Sequence, residues 1–401
     1  MWYLLYTTIL LTSVVFLPIP DAFGLPKQAV FIILGFSLIG IGLMNTNTKA
    51  LTLKNKWLAL IFIYVVLHSF GYYFFTPLIK TKEQVIGFSM NAQLATLTII
   101  LSLLIIQCLV EWTDDLKKWV VTGKFLCWLG FAFSIYAIIQ WLGLDQIFHG
   151  DLRWVDNASP TNDGAEMHFV RYRMVTFLGN KRETACFIAM LSPMALMFKG
   201  LKYKIIYGVM CLTIVLTASG SSCFALIIGF LLYLLLTRRW KVFLGGVLSM
   251  PLIGWGVLKA YPNFFNFYGK GGLWKNVFMG SIPRFFVGHG IGTFPLLKYK
   301  VVSGAYEMVA INADFELLQL LSDGGLILLV LAMGYVVTLY RRVILEFLSS
   351  SSMLLIGYTV GLTTFLILTI GASPLHFSAL LLIGVCYVAS LEAQLEGGHY
   401  A

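Results

Sequence analysis

Acidic side chains are scarce in this chain. Only 18 Asp and Glu stand among 401 residues, and charged residues of both signs make up 11% of the total, where a soluble domain carries about 25%. That shortage excludes an ordinary soluble enzyme. The signatures of metal and nucleotide chemistry are missing as well: no HExxH, Walker loop, GxSxG or paired CxxC occurs, so neither a metal nor a cofactor is implied. The cysteines Cys108, Cys127, Cys186, Cys211, Cys223 and Cys386 all fall within apolar segments without metal-ligand spacing and read as small buried apolar residues. No basic, aromatic-interleaved module accompanies the formal net charge of +10. The excess is therefore read as loop charge near anionic lipid or an anionic substrate, and not as a nucleic-acid surface. The opening stretch MWYLLYTTILLTSVVFLPIP has neither a basic n-region nor a small-residue cleavage site and is expected to be a retained first span. An inverted internal repeat of the transporter kind is also lacking.

What the chain has in abundance is apolar length. It is 59% hydrophobic and 15% aromatic, with a mean hydropathy of +0.85. Uninterrupted apolar runs of about 20 residues fit membrane-crossing helices and not alternating barrel strands. The expected fold is an all-α polytopic integral membrane protein, a single membrane domain over 1–401. Twelve spans are expected, near 2–19, 27–44, 57–75, 89–111, 119–143, 183–198, 205–219, 221–237, 242–260, 316–340, 352–371 and 374–392.

Short loops dense in Lys and Arg set the expected orientation. Lys199, Lys202 and Lys204, then Arg238, Arg239 and Lys241, then Arg341 and Arg342 lie on one side, with Lys49, Lys54, Lys56, Lys117 and Lys118. The positive-inside rule makes that side cytoplasmic, along with both termini. The other side carries as many cations, but mostly in two long loops, at 144–182 and 261–315, and long segments cross with less regard for charge. These loops hold Trp154, Phe169, Tyr172, Phe177, Trp274, Phe285, Phe286 and Phe294. They are too aromatic for disordered tails and are expected to form a small extracytoplasmic cap with short helices.

The second loop reads YGKGGLWKNVFMGSIPRFFVGHGIGTFP and sets Lys270, Lys275, Arg284 and His289 among Gly271, Gly272, Gly290 and Gly292. Lys as a point charge, Arg as a bidentate fork and glycines that admit backbone N–H groups all suit a phosphate. Cations snorkelling to lipid headgroups would look similar. The first loop adds Arg171, Arg173, Lys181 and Arg182, which could equally pair with Asp163, Glu166 and Glu183. Directly after the second loop, ADFELLQLLSDGG carries Asp314, Glu316 and Asp323 into an apolar helix. Spacings of 3, 4 and 7 put Glu316, Gln319 and Asp323 on one helix face. Acids in a first turn complement the helix dipole, which suits Asp314 and Glu316, but ionisable groups at the end of a span also face sites, and a functional role is the expectation for Glu316. Asp323 lies two turns deeper, where an ionisable group faces a site or a neighbouring helix. His68, mid-span, reads as a core histidine, and His376 starts a helix beside Pro374.

Four segments, in order over residues 170–340, resemble the O-antigen ligase and O-antigen polymerase family of bacterial membrane glycosyltransferases. They are TFLGNKRETACFIAMLSPMAL, LTASGSSCFALIIGFLLYLLL, KGGLWKNVFMGSIPRFFVGHGIGTF and ADFELLQLLSDGGLILLVL. The resemblance implies a GT-C-like membrane fold with a long extracytoplasmic loop between the ninth and tenth helices. It also implies an inverting, metal-independent transfer of a glycan from a polyprenyl diphosphate carrier. The acceptor is a lipid A-core sugar or another glycan, and the reaction takes place on the periplasmic face of the bacterial inner membrane. Membrane lipids are the other partners; nucleic acid is not. In those terms Lys270 and Arg284, with Lys275, Arg171 or Arg173, hold the leaving diphosphate. Glu316 or Asp314 takes the acceptor's proton, with His289 as an alternative base. The sequence departs from the family where Asp314 stands in place of the usual His, Lys270 in place of Arg, and Gly220 in place of Arg. A flippase for lipid-linked glycans and a peptidoglycan polymerase of the shape and division family are the rival expectations.

Overall fold

Apolar runs in lipid must close their backbone hydrogen bonds within themselves, and the computed structural model shows these runs as helices. It describes residues 2–15, 24–45, 55–75, 82–112, 116–145, 174, 176–260, 268–292, 294, 300–303, 306–309, 313, 315–349, 352–371 and 374–397. In chain order the helices are α1 (Trp2–Val14), α2 (Gly24–Asn45), α3 (Lys56–Phe75), α4 (Lys82–Glu111), α5 (Lys117–Trp141), α6 (Lys181–Leu196) and α7 (Leu201–Leu216). They continue with α8 (Gly220–Leu236), α9 (Trp240–Ala260), α10 (Tyr268–Ser281), α11 (Glu316–Ser349), α12 (Met353–Gly371) and α13 (Ser378–Gly397). Every helix but α10 coincides with an expected span. Among the described residues, six stretches are long and apolar enough to cross a membrane by themselves: Pro26–Met44, Gln93–Glu111, Lys117–Trp141, Glu316–Leu348, Met353–Gly371 and Ser378–Glu396. Within 261–315 stand α10, a 3-10 turn (Ile282–Arg284) and one antiparallel hairpin, β1 (Lys300–Ser303) with β2 (Tyr306–Val309), in which Val302 pairs with Glu307.

The centre of the bundle is α6. Every residue from Thr184 to Ala195 on it is buried, which explains how a helix that starts KRET belongs to the core: its neighbours, and not lipid, surround it. Pro193 removes one rung of the helical ladder. The carbonyl this frees, on Ala189, is taken by the Ser192 hydroxyl at 2.9 Å. Around α6 pack α12 and α13, where buried tyrosines find acceptors as their hydroxyls require. Tyr387 donates to the Met190 carbonyl at 2.6 Å and Tyr358 to the Trp119 carbonyl at 2.8 Å. The periphery shows the opposite pattern, with Ile33, Phe36, Ile63, Leu67, Phe70, Val330 and Val337 exposed, as on a lipid-facing surface.

Two sets of contacts define the ends of the bundle. At one end Glu392 of α13 accepts from Asn55 (2.8 Å), Tyr335 (3.0 Å) and Arg342 (2.6 Å), and Trp2 packs edge-on against Trp119. At the other end Lys27 donates to the Phe177 carbonyl, Gln140 accepts from the Thr176 backbone N–H at 2.7 Å, and Glu316 meets the connection from α12 to α13. The helices therefore alternate in direction between a Glu392 end and a Glu316 end. Glu392 is the shared acceptor of three side chains, one at the start of α3 and two on α11, so removing it strands their donors, the buried Tyr335 hydroxyl among them, at about 1–3 kcal/mol. Glu392→Ala is expected to lower the thermal unfolding midpoint in detergent, and Glu392→Gln to lower it less; equal midpoints for Glu392→Ala and the wild type would remove Glu392 as a clamp.

Candidate functional site

The expected continuous span over 316–340 is interrupted. Gly325 has φ 69° and ψ −174°, which breaks α11 into an outer piece and a long apolar piece. In an unbroken helix the N–H groups of Leu326 and Ile327 would bond the carbonyls of Ser322 and Asp323. Here Leu326 donates to the Phe285 carbonyl (2.8 Å) and Ile327 to the Phe286 carbonyl (3.3 Å). The carbonyls of Ser322 and Asp323 accept instead from the N–H groups of His289 (2.7 Å) and Gly290 (2.8 Å). The Gly324 carbonyl takes the Tyr64 hydroxyl at 2.6 Å. The Gly-rich loop after α10 thus inserts into the helix and replaces the bonds the break removes. Glycine is required at both facing positions. A Cβ on Gly288 would stand 2.5 Å from the Asp323 carbonyl oxygen, and a Cβ on Gly325 would strike the Phe286 carbonyl.

Side chains complete the docking. Asp323 Oδ2 accepts from the Gln319 amide (3.1 Å) and the Gly292 N–H (3.3 Å). Gln319 Oε1 in turn accepts from the Ala313 N–H at 2.8 Å. His68 on α3 pairs through Nε2 with the Val287 carbonyl at 2.5 Å. His289 Nε2 meets the Gly280 carbonyl at 2.9 Å. Burial holds the His289 imidazole below its ordinary pKa; the Gly280 bond opposes this and the nearby Arg284 charge adds to it. Trp274 of α10 donates to the Ala313 carbonyl at 3.0 Å and packs on Phe315, so α10 rests on the start of α11.

The same end gathers three more helix starts. Asn180 caps α6 by accepting the Arg182 N–H at 2.8 Å, which gives the Gly179–Asn180 pair its local purpose. The Arg182 guanidinium then reaches the carbonyl of Gly371, the last residue of α12. The Ser-rich junction before α8 is close by: Ser222 contacts Ser219 (3.0 Å) and Cys186 (3.5 Å), and Gly371 leaves room for Ser221. Glu316, at 2% exposed, accepts the Leu375 N–H on Oε1 at 3.0 Å and faces His376 Nε2 with Oε2 at 3.7 Å. Leu375 and His376 belong to a 3-10 turn (Pro374–His376) that leads into α13.

Of the residues expected to act, Glu316, His289 and Arg284 lie at this end, Arg284 half-buried beside His289 and Lys275 exposed on α10. Lys270 sits in the first turn of α10, with its side chain outside what is described; Asp314, Arg171 and Arg173 lie outside the described residues. The shared face of Glu316, Gln319 and Asp323 is divided in use. Gln319 and Asp323 hold the inserted loop, whereas Glu316 serves the α12–α13 connection. Sequence spacing missed Arg182 with Gly371, and His376 with Glu316, because both pairs join segments far apart in the chain. The partial signal was His376 beside Pro374 at a helix start. Among the described residues no group of three His, Cys, Asp or Glu could hold a metal.

Fold and composition together define the class: an all-α membrane protein with a broken helix and a loop-filled break at one end. No protein-family model matches the chain, and no curated protein matches it.

Two outcomes test the inserted loop. Gly325→Ala places a side chain in a backbone region that essentially only glycine adopts, at a cost of about 1–3 kcal/mol, as well as against the Phe286 carbonyl; the variant is expected to unfold at lower temperature in detergent and to expose the 285–292 segment to protease. The second concerns pH. A histidine whose pKa is lowered by folding contributes stability that is complete above its unfolded value, about 6.5, and is lost as pH falls below it. The thermal midpoint of the wild type is therefore expected to drop between pH 7 and pH 5 more steeply than that of His289→Gln, and parallel curves would exclude His289 from that response.

Proposed function

We propose that this chain is a membrane glycosyltransferase of the O-antigen ligase or polymerase type, with all twelve expected spans crossing the membrane and the Glu316 end facing outward from the cytoplasm. One observation carries the proposal. The Gly-rich, cation-bearing loop with Arg284 and His289 is hydrogen-bonded into the very helix start that carries Glu316 and Asp323. A further support is the convergence of the starts of α6, α8 and α11 at that end, since helix N-termini carry positive partial charge and favour anions.

In this reading the bond between the anomeric carbon and the carrier's phosphate oxygen breaks, and the diphosphate leaves with the electron pair. Arg284 and Lys270 neutralise that developing charge in a partly dry setting, and Lys275, Arg171 and Arg173 are the further cations this reading assigns to the diphosphate. The acceptor hydroxyl oxygen bonds the anomeric carbon from the opposite face, which inverts it, and its proton leaves toward the start of α11, where Glu316 supplies the negative charge. The break in α11 is a feature that a transporter of lipid-linked glycans would share. Movement of the donor across vesicles with no covalent product would select that reading instead.

Purified protein supplied with a polyprenyl diphosphate glycan, and with lipid A-core and repeat-unit acceptors in parallel, is expected to form product with one of them. Arg284→Ala is expected to reduce the turnover rate by roughly 10²-fold or more, and Glu316→Gln by a similar factor. Full transfer by both variants would overturn the residue roles.

A further inference from the structure

Glu316 is placed to be felt but not to be touched. Its side chain is 3% exposed, and its Oε1 is occupied by the Leu375 N–H. A sugar hydroxyl cannot reach a carboxylate so enclosed. The side chain in front of it can be reached: His376 is 39% exposed, and its Nε2 lies 3.7 Å from Glu316 Oε2. The turn that carries His376 is held from two sides. The Leu375 N–H is fixed on Glu316 from α11, and Arg182 from α6 bonds the Gly371 carbonyl just before it. The flanking α12 and the outer half of α13 carry no charged side chain; Glu316 faces that imidazole at 3.7 Å, and Arg182 lies behind the same connection. A buried carboxylate behind an accessible imidazole orients it and stabilises its protonated form.

We propose that Glu316 and His376 act as one carboxylate–imidazole pair, with His376 as the catalytic base and Glu316 as its positioning residue. This rests on the transferase reading and refines it. The acceptor's proton passes to a His376 ring nitrogen as its oxygen bonds the anomeric carbon, the imidazolium is held by the Glu316 charge, and the proton is then released to water. Glu316, drawn from the first turn of α11, and His376, some 60 residues later, are brought together only by the packing of α11 against the α12–α13 connection.

Two measurements on the full-length protein in detergent separate the pair from the reaction. The first follows carbethoxylation of His376 by peptide mass spectrometry across pH. An opposite charge at this range raises a histidine midpoint, and Glu316→Gln, whose amide oxygen still accepts the Leu375 N–H, is expected to lower it by about 1 unit. An unchanged midpoint would overturn the pair whatever the enzyme does. The second is the transfer assay. His376→Gln and His376→Ala are expected to lose roughly 10²-fold or more in turnover rate, with unfolding temperature and donor binding retained. Wild-type rates in a folded His376→Ala protein would overturn the base assignment while leaving the transferase reading intact. Absence of any transfer by the wild type, with the midpoint shift observed, would overturn the reaction and keep the pair.

Discussion

The arrangement at the Glu316 end depends on an exchange of backbone hydrogen bonds. A helix that breaks near the edge of an apolar layer frees N–H and carbonyl groups that have no water to turn to. In α11 the groups freed at Gly325 are taken up by the loop at 285–290, donor for acceptor and acceptor for donor. This exchange fixes the register between the loop and the helix. It sets where Arg284 and His289 stand relative to the start of α11, and it explains why Gly288 and Gly325 face one another with no room for a side chain. Asp323 and Gln319 reinforce it from within the outer piece of the helix.

The rest of the bundle serves to hold that piece in place. The central α6 is buried along its length and presents Arg182 at its capped start to the end of α12. Packed on it, α12 and α13 carry the turn that receives Glu316. At the far end Glu392 ties α3, α11 and α13 together. The broken α11 as a whole is thus anchored at one end by an acid that is fully engaged in structure, and at the other by an acid with an exposed imidazole against it. Similar chemistry has different consequences: Glu392 gathers donors and is closed, whereas Glu316 shares its second oxygen with a side chain that reaches the surface.

Much of this was legible in the sequence. Apolar length gave the helices, since in lipid the backbone has few alternatives to satisfying itself locally. The positions expected for spans agree with the helices observed, and the segment over 261–315 does contain a short helix. The 3-4-7 spacing placed Glu316, Gln319 and Asp323 together, and Gln319 and Asp323 are indeed bonded. The span expected over 316–340 was not continuous, however. Gly324–Gly325 permits a break but does not require one; the break stands because a loop more than 30 residues earlier supplies the missing bonds.

What the sequence by itself determined is the local and the periodic: which segments become helices, that they suit a membrane, and which side chains share a helix face. Those follow from hydrophobicity and the 3.6-residue repeat, properties of neighbours in the chain. The tertiary structure alone decided which acids are structural and which is joined to an accessible histidine. It turned Asp323 inward to a backbone loop and set Glu316 against His376. Burial and partnership are properties of packing between distant segments, and no spacing within a single helix encodes them.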